Sequence, residues 1–264
     1  MDNRGIGILD SGVGGLTALK EVHKLLPEEN IVYFGDTLNS PYGEKTASDI
    51  VSCVSSGIEF LKSENVKIIL LACGTASSYI EKINCDIPIL GIINKSCEKA
   101  IEISSNKKIG VLATSATVRS GKYKKNILGM CPNAFVYERA CPKLATIIES
   151  GNIGGASSVL ISCLSEYLKP INDLNLDTII LGCTHYPIIA NEIKTLLLNK
   201  DIKFVIPGHE MAITLKQVLG EKNISADKNR VGQISYFVSG EKEKFCKTAN
   251  IFLGHDVENS VLRV

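Results

Sequence analysis

Apolar residues along this chain fall in short runs of strand length, at Gly5 to Leu9, Ile31 to Phe34, Lys67 to Ala72, Ile89 to Ile93, Lys108 to Ala113, Ala134 to Tyr137, Thr178 to Gly182 and Lys203 to Ile206. Between most of them lie stretches whose apolar positions recur with helical spacing, as at Gly15 to Leu26, Thr46 to Glu64, Ala76 to Asn84 and Pro187 to Leu198. Strand and helix alternating in this order predict an α/β fold with mainly parallel sheets. In such sheets ligands gather beyond the carboxyl ends of the strands, so the turns that follow the apolar runs are the places to look for chemistry.

The second half of the pattern echoes the first. Ile6-Gly7-Ile8-Leu9-Asp10-Ser11-Gly12 resembles Ile109-Gly110-Val111-Leu112-Ala113-Thr114-Ser115, and each is followed in turn by a strand that ends in a cysteine. Those two strands, Val66 to Thr75 and Leu176 to His185, are near-copies: an apolar run, then Ala72-Cys73-Gly74-Thr75 in one and Gly182-Cys183-Thr184-His185 in the other. The expected architecture is two pseudo-symmetric doubly wound units facing each other, with one thiol on each side of the cleft between them. The stretch after Phe204 has no counterpart in the middle of the chain and is expected to return to the first unit. The boundaries read as 1–94 with 208–264 for the first unit and 95–207 for the second.

Composition narrows the functional classes. A net charge of +1 gives no electrostatic case for nucleic acid as a partner. No apolar run approaches the length needed to cross a bilayer, and the brief N-terminal run meets Asp10 at once, so neither membrane nor export signal is expected. Nine cysteines, an odd number in a long chain, read as free thiols in a reducing cytoplasm. Cys53, Cys85, Cys97, Cys131, Cys163 and Cys246 read as small buried hydrophobes. With no Cys-x-x-Cys pair and the histidines scattered at His23, His185, His209 and His255, no structural zinc site is expected.

Asp10-Ser11-Gly12-Val13-Gly14-Gly15-Leu16 leads from a strand into a helix, and its free backbone amides suit a carboxylate. It is not a dinucleotide fingerprint, because Thr17 stands where the third glycine belongs. Phe34-Gly35-Asp36-Thr37 running into Pro41-Tyr42-Gly43 is a turn signal beside the second strand end. Glu149 closes the helical run Leu144 to Ile148. A thiol at a strand end that opens a helix meets unpaired amides and the positive end of the dipole, which is expected to draw the pKa of Cys73 and Cys183 down toward neutrality and make them usable bases. Metal ligation by the Cys-x-His pair and nucleophilic catalysis by one cysteine are the alternatives; the second leaves the other thiol unexplained.

These motifs, with Ala140-Cys141-Pro142, Glu149-Ser150-Gly151 and above all Leu181-Gly182-Cys183-Thr184-His185-Tyr186-Pro187, resemble the glutamate racemases of the aspartate/glutamate racemase superfamily over nearly the whole length. The resemblance implies interconversion of L- and D-glutamate without pyridoxal phosphate, other cofactor or metal, supplying D-glutamate for peptidoglycan, by a cytoplasmic homodimer. It implies that Cys73 acts on the D-isomer and Cys183 on the L-isomer, assisted by Asp10 and His185, with Glu149 near Cys183. It also implies that Asp10, Ser11, Pro41, Tyr42, Gly43, Gly74, Thr75, Thr184 and His185 bind the acidic amino acid.

Where the family has asparagine after the first cysteine, this chain has Gly74. A lost hydrogen bond to a charged group is worth roughly 1.5–3 kcal/mol, and a glycine is expected to leave room for water or a bulkier substrate. Two further readings follow: a racemase or epimerase of another acidic or larger amino-acid derivative, and a weakly active relative that binds an acidic ligand.

Overall fold

The structure is a computed structural model that describes residues 1–151, 153 and 157–264. Among the described residues ten strands form two sheets: β1 (Ile6–Asp10), β2 (Ile31–Gly35), β3 (Ile68–Leu71), β4 (Ile89–Gly91), β5 (Lys108–Ala113), β6 (Phe135–Ala140), β7 (Thr178–Leu181), β8 (Lys203–Val205), β9 (Ile234–Val238) and β10 (Val261–Arg263). The first sheet has the order β10-β9-β2-β1-β3-β4 and the second β6-β5-β7-β8. Every pairing among the described residues is parallel.

The eleven helices are α1 (Leu16–Leu25), α2 (Ala47–Ser63), α3 (Gly74–Ser77), α4 (Ile93–Ile103), α5 (Ser115–Ser120), α6 (Lys122–Met130), α7 (Leu144–Glu149), α8 (Ser158–Asn172), α9 (Ala190–Leu196), α10 (Pro207–Glu221) and α11 (Lys242–Leu253), counted among the described residues. Their starts follow local chemistry. Thr46 accepts a hydrogen bond from the Asp49 amide at the head of α2, and Thr114 does the same for Thr117 at the head of α5. At the end of α5, Gly121 takes the left-handed conformation (φ 62°) that closes a helix without a Cβ penalty.

The duplication read from the sequence appears as topology. In each sheet the strand carrying the repeated Ile-Gly motif is central, with the next strand on one side and the cysteine strand on the other, so β2-β1-β3-β4 repeats as β6-β5-β7-β8. The unmatched C-terminal stretch supplies β9 and β10, which extend the first sheet beside β2.

Pleating divides the core. Ile6, Ile8, Ile68 and Leu70 belong to a hydrophobic cluster that continues into Ile109, Val111 and Ile180 of the second sheet, whereas Leu9, Ile69 and Leu71 face Ile50, Val54 and Ile58 of α2. Helix α10 packs on both α1 and α4. Beneath the first sheet the fully buried Lys67 and Glu29 pair at 2.6 Å; Lys67 also donates to the Asp2 carbonyl, and Glu29 accepts from the Ala226 amide. That buried charge pair ties the N-terminal and C-terminal stretches together.

Two expected helices are shorter than their apolar spacing suggested. Ala76 to Asn84 resolves into α3 and a 3-10 turn at Ile80–Lys82, because the chain tightens at once to bonds such as the Tyr79 amide to the Ala76 carbonyl. Pro187 to Leu198 begins as a 3-10 turn at Tyr186–Ile189 and becomes helical only in α9.

Candidate functional site

Cys73 and Cys183 stand at equivalent places, each two residues beyond the end of its central-sheet neighbour, β3 or β7. Both are buried, each 6% exposed, and both border one cavity of about 560 Å³. The same walls include Ser11, Pro41, Tyr42, Gly43, Gly74, Thr75, Glu149, Thr184 and His185. Asp10 alone of the expected site residues stands behind the wall, with no exposed surface.

The Cys183 side is a hydrogen-bonded chain. Cys183 Sγ lies 3.5 Å from His185 Nδ1, and His185 Nε2 lies 2.8 Å from Glu149 Oε1. Burial alone would push the imidazole pKa down. The charge and hydrogen bond of Cys183, together with those of Glu149, override it and raise His185 well above its ordinary value. His185 therefore holds a proton at neutral pH between a sulfur and a carboxylate. Its ring also meets Phe252 edge-on at 5.7 Å.

The Cys73 side is built differently. Cys73 Sγ donates toward Ser11 Oγ at 3.6 Å. Its pKa is pushed up to about 12 by burial first and by the nearby Asp10 charge second, against the lowering effect of the Ala76 amide and Ser11. The expectation of a thiol drawn toward neutrality by a helix terminus is overturned here: α3 has only four residues, too short a dipole to offset desolvation. Cys73 rests as a thiol, an acid ready to give a proton.

Asp10 makes no hydrogen bond to Cys73. Its carboxylate accepts from the Gly12 amide at 3.0 Å and from Thr184 Oγ1 at 3.4 Å, across to the other cysteine loop. Burial raises its pKa, partly offset by the His185 charge. Thr17 Oγ1 crosses in the same direction, donating to the Thr184 carbonyl at 2.8 Å. At Gly14 a Cβ would overlap Thr184 Oγ1 and the His185 ring, so the glycine-rich first turn is what lets the two loops seat against each other.

On the opposite wall Thr75 Oγ1 lies 2.8 Å from Thr114 Oγ1 and 3.1 Å from Thr117 Oγ1, and the last two are 2.9 Å apart, a closed ring of hydroxyls drawn from both sheets. Tyr42 turns its hydroxyl away, donating to Asp36 at 2.6 Å. Asp36 also accepts from Asn39 and Ser239, and so fixes the turn that presents Pro41 and Gly43. Thr114, Thr117 and Asp36 were not among the sequence-derived site residues. The signal for Thr114 was present, since it matches Ser11 in the repeat.

The room expected at Gly74 does not exist. A Cβ there would overlap the backbone carbonyl oxygen of Gly182 from the other cysteine loop. Among the described residues no group of three or more His, Cys, Asp or Glu side chains is placed to hold a metal, and no helix is long and apolar enough to cross a membrane.

Comparison with known proteins places these features in context. Residues 14–215 match the family model described as Asp/Glu/Hydantoin racemase. Glutamate racemase 1 of Caldanaerobacter subterraneus subsp. tengcongensis is 41% identical over 100% of this chain and 98% of the relative. The glutamate racemase of Thermoanaerobacter pseudethanolicus is 38% identical over 98% of this chain and 97% of its own. Among solved structures, glutamate racemase RacE1 from Bacillus anthracis superposes with a TM-score of 0.93 at 34% identity, covering 100% of this chain and 98% of that one. The Francisella tularensis glutamate racemase in complex with D-glutamate gives 0.91 at 32% identity, with the same coverage. The paired cysteine loops, the repeated sheet order and these full-length likenesses lead to one conclusion: the chain belongs to the Asp/Glu/hydantoin racemase family.

Proposed function

We infer that this protein racemises glutamate, with Cys73 and Cys183 as acid and base on opposite faces of the α-carbon, and so supplies D-glutamate for peptidoglycan. The observation that carries this reading is the single cavity bordered by two buried thiols, each with its own polar partner. One sulfur takes the α-proton as the other delivers its own, so the new C–H bond forms opposite the one that breaks and the configuration inverts. The asymmetry of the resting site fits the step that begins on the L-isomer: Cys183, beside the protonated His185–Glu149 pair, abstracts, and the protonated Cys73 donates.

Removing a proton from an amino acid's α-carbon is hard because the carbanion lacks a means of spreading its charge. Fixed dipoles in a cleft shielded from water are the physical substitute. Ser11, Pro41, Gly43, Thr75, Thr184 and the Thr114 hydroxyl supply such dipoles at the cavity wall. Asp10 acts in this account as a holder of the Thr184 loop, given its bonds to Gly12 and Thr184. A substrate bulkier than glutamate gains no support from Gly74, whose open side is filled by the Gly182 carbonyl.

The same reading divides the chain into a unit of residues 1–94 with 208–264 and one of 95–207, supported by the strands each sheet draws on. It takes the protein as a cytoplasmic homodimer, which light scattering tests directly. For the reaction itself, L-glutamate incubated with the protein in heavy water should yield D-glutamate carrying deuterium at the α-carbon. Absence of both the new isomer and the label would refute it.

A further inference from the structure

We propose that Phe252, from the unmatched C-terminal stretch, is a positioning residue that holds the His185 ring in line between Cys183 and Glu149. The proposal rests on the two-thiol reading above. The Phe252 ring meets the imidazole edge-on, with centroids 5.7 Å apart and planes at 89°, the geometry of a favourable edge-to-face pair. Both side chains are buried, so the contact lies inside the protein.

The contact follows from the periodicity of α11. Glu241, Phe245, Thr248 and Phe252 recur at helical spacing; the first three border the cavity, and Phe252 continues their face one turn further, against His185. The Phe252 carbonyl accepts from Lys20 Nζ of α1 at 3.2 Å, and Gly254, in the left-handed conformation (φ 79°), closes the helix just beyond it. Gly14 lies against the imidazole as well, where a Cβ would overlap the ring. His185 is thus bounded by Cys183 at Nδ1, Glu149 at Nε2, the Gly14 backbone and the Phe252 ring. On the Cys73 side the matching position is Thr75, whose hydroxyl is held by Thr114 and Thr117 instead. Among the described residues the second sheet has no counterpart of the C-terminal strands, so the stretch that brings Phe252 to one cysteine loop brings nothing equivalent to the other.

The charged groups that act on His185 are Cys183 from its own loop, Glu149 from α7 and Asp10 from the first turn. Glu241 and Lys244 of α11 stand exposed on the cavity wall, and Lys20 of α1 is engaged by the Phe252 carbonyl. Cys183 and Glu149 outweigh burial and keep the imidazole protonated. A smaller side chain at position 252 admits water beside this chain, which weakens its electrostatics, and removes the attraction of an aromatic ring for a cation. Both effects return His185 toward its ordinary value. Phe252 does not border the cavity, so the hold on substrate is unaffected.

The test compares Phe252→Leu with Leu253→Ala, a truncation at the next buried residue of α11, which helical geometry turns about 100° away from Phe252. The readouts are an NMR titration of isotope-labelled His185 and the pH profile of racemisation followed by circular dichroism. Phe252→Leu should lower the His185 pKa by about half to one unit, the worth of an edge-to-face pair, and bring the alkaline limb down with it. At pH values between the old and new limbs kcat should fall about three- to tenfold, with KM for glutamate unchanged. Phe252→Tyr, which keeps the ring, should restore the His185 titration. Leu253→Ala should unfold at lower denaturant and leave both titrations unmoved. An unmoved His185 titration in Phe252→Leu, or an equal shift in Leu253→Ala, would overturn the proposal. Should Phe252→Leu not fold, the wild-type protein decides: nuclear Overhauser effects between the Phe252 and His185 ring protons support the contact, and their absence would overturn it. Failure of the two-thiol reading is seen separately, as inversion that survives replacement of Cys73 or Cys183 by serine, since the His185 titration does not depend on turnover.

Discussion

Replacing Glu149 by glutamine removes a charge from the His185 chain while keeping its shape and an acceptor oxygen. The pair is short, 2.8 Å, and His185 is 5% exposed, yet Glu149 keeps 33% of its side chain in water. A hydrogen bond between charged groups is worth about 1.5–3 kcal/mol, and solvent screening of the exposed carboxylate takes the pair to the lower end of that range. About 1.4 kcal/mol corresponds to one pKa unit, so the His185 pKa should fall by about one unit in Glu149→Gln. The raised pKa of His185 means that its contribution to stability is complete below the unfolded histidine value and is lost as pH rises through the folded one. The stability penalty of the substitution should therefore be fully present at mildly acidic pH, below the unfolded histidine value of about 6.5, and disappear at alkaline pH.

Kinetically, the alkaline limb of racemisation should move down by about one unit, with about a tenfold loss of rate at pH values between the two limbs. Because L- and D-glutamate have equal free energy, kcat/KM must fall equally in both directions; a change in one direction alone would mark an assay fault. The assay is a pH series of circular-dichroism racemisation curves beside an NMR titration of isotope-labelled His185. An unmoved alkaline limb with an unmoved His185 titration would refute the assigned role of Glu149.

Other expected outcomes follow from separate parts of the structure. Removing one partner of the fully buried Lys67–Glu29 pair, as in Glu29→Gln, should cost about 3–5 kcal/mol in denaturant unfolding, with much of the loss recovered in Glu29→Gln/Lys67→Met. Loss of no more than about 1 kcal/mol would show that the pair behaves as an exposed one. Thr114→Val breaks the hydroxyl ring at bonds of 2.8 and 2.9 Å and should raise KM for glutamate about fivefold with little change in kcat; an unchanged KM would remove the ring from substrate binding. Cys97, whose thiol is buried and pushed up to about 12, should resist alkylation in the folded protein, and Cys97→Ala should retain wild-type turnover. Ready labelling of Cys97 would contradict its placement.

The parts of the fold that could be read from the sequence are those in which local pattern and tertiary role agree. Fully buried parallel strands such as Ile68–Leu71 and Thr178–Leu181 are near-continuous apolar runs, and the echo of Ile6 to Gly12 in Ile109 to Ser115 marks the centre of each sheet. Strands β9 and β10 escaped because their signal is weak: Ile234–Val238 begins with a half-exposed residue and an exposed serine, and Val261–Arg263 is three residues at a sheet edge. Cys183 and His185 are two residues apart and declare themselves locally. Glu149 reaches them only through the fold, as do Thr114 and Thr117, whose partner Thr75 lies in the other sheet's connections. Desolvation is likewise invisible in a motif, which is why Cys73 looked like an activated thiol and rests as a strongly protonated one. At Gly74 the missing side chain suggested space, but the space belongs to a backbone from the other half of the chain.

The central claim is that two thiols act from opposite faces of one substrate, and single-cysteine variants test it most directly. L- and D-glutamate, each in heavy water, are followed by NMR for α-deuterium and by circular dichroism for inversion in Cys73→Ser and Cys183→Ser. The account predicts that each variant loses inversion in both directions while retaining α-proton exchange from one enantiomer only, the D-isomer when Cys73 remains and the L-isomer when Cys183 remains. Inversion surviving in either variant, or exchange of both enantiomers by a single remaining thiol, would contradict it.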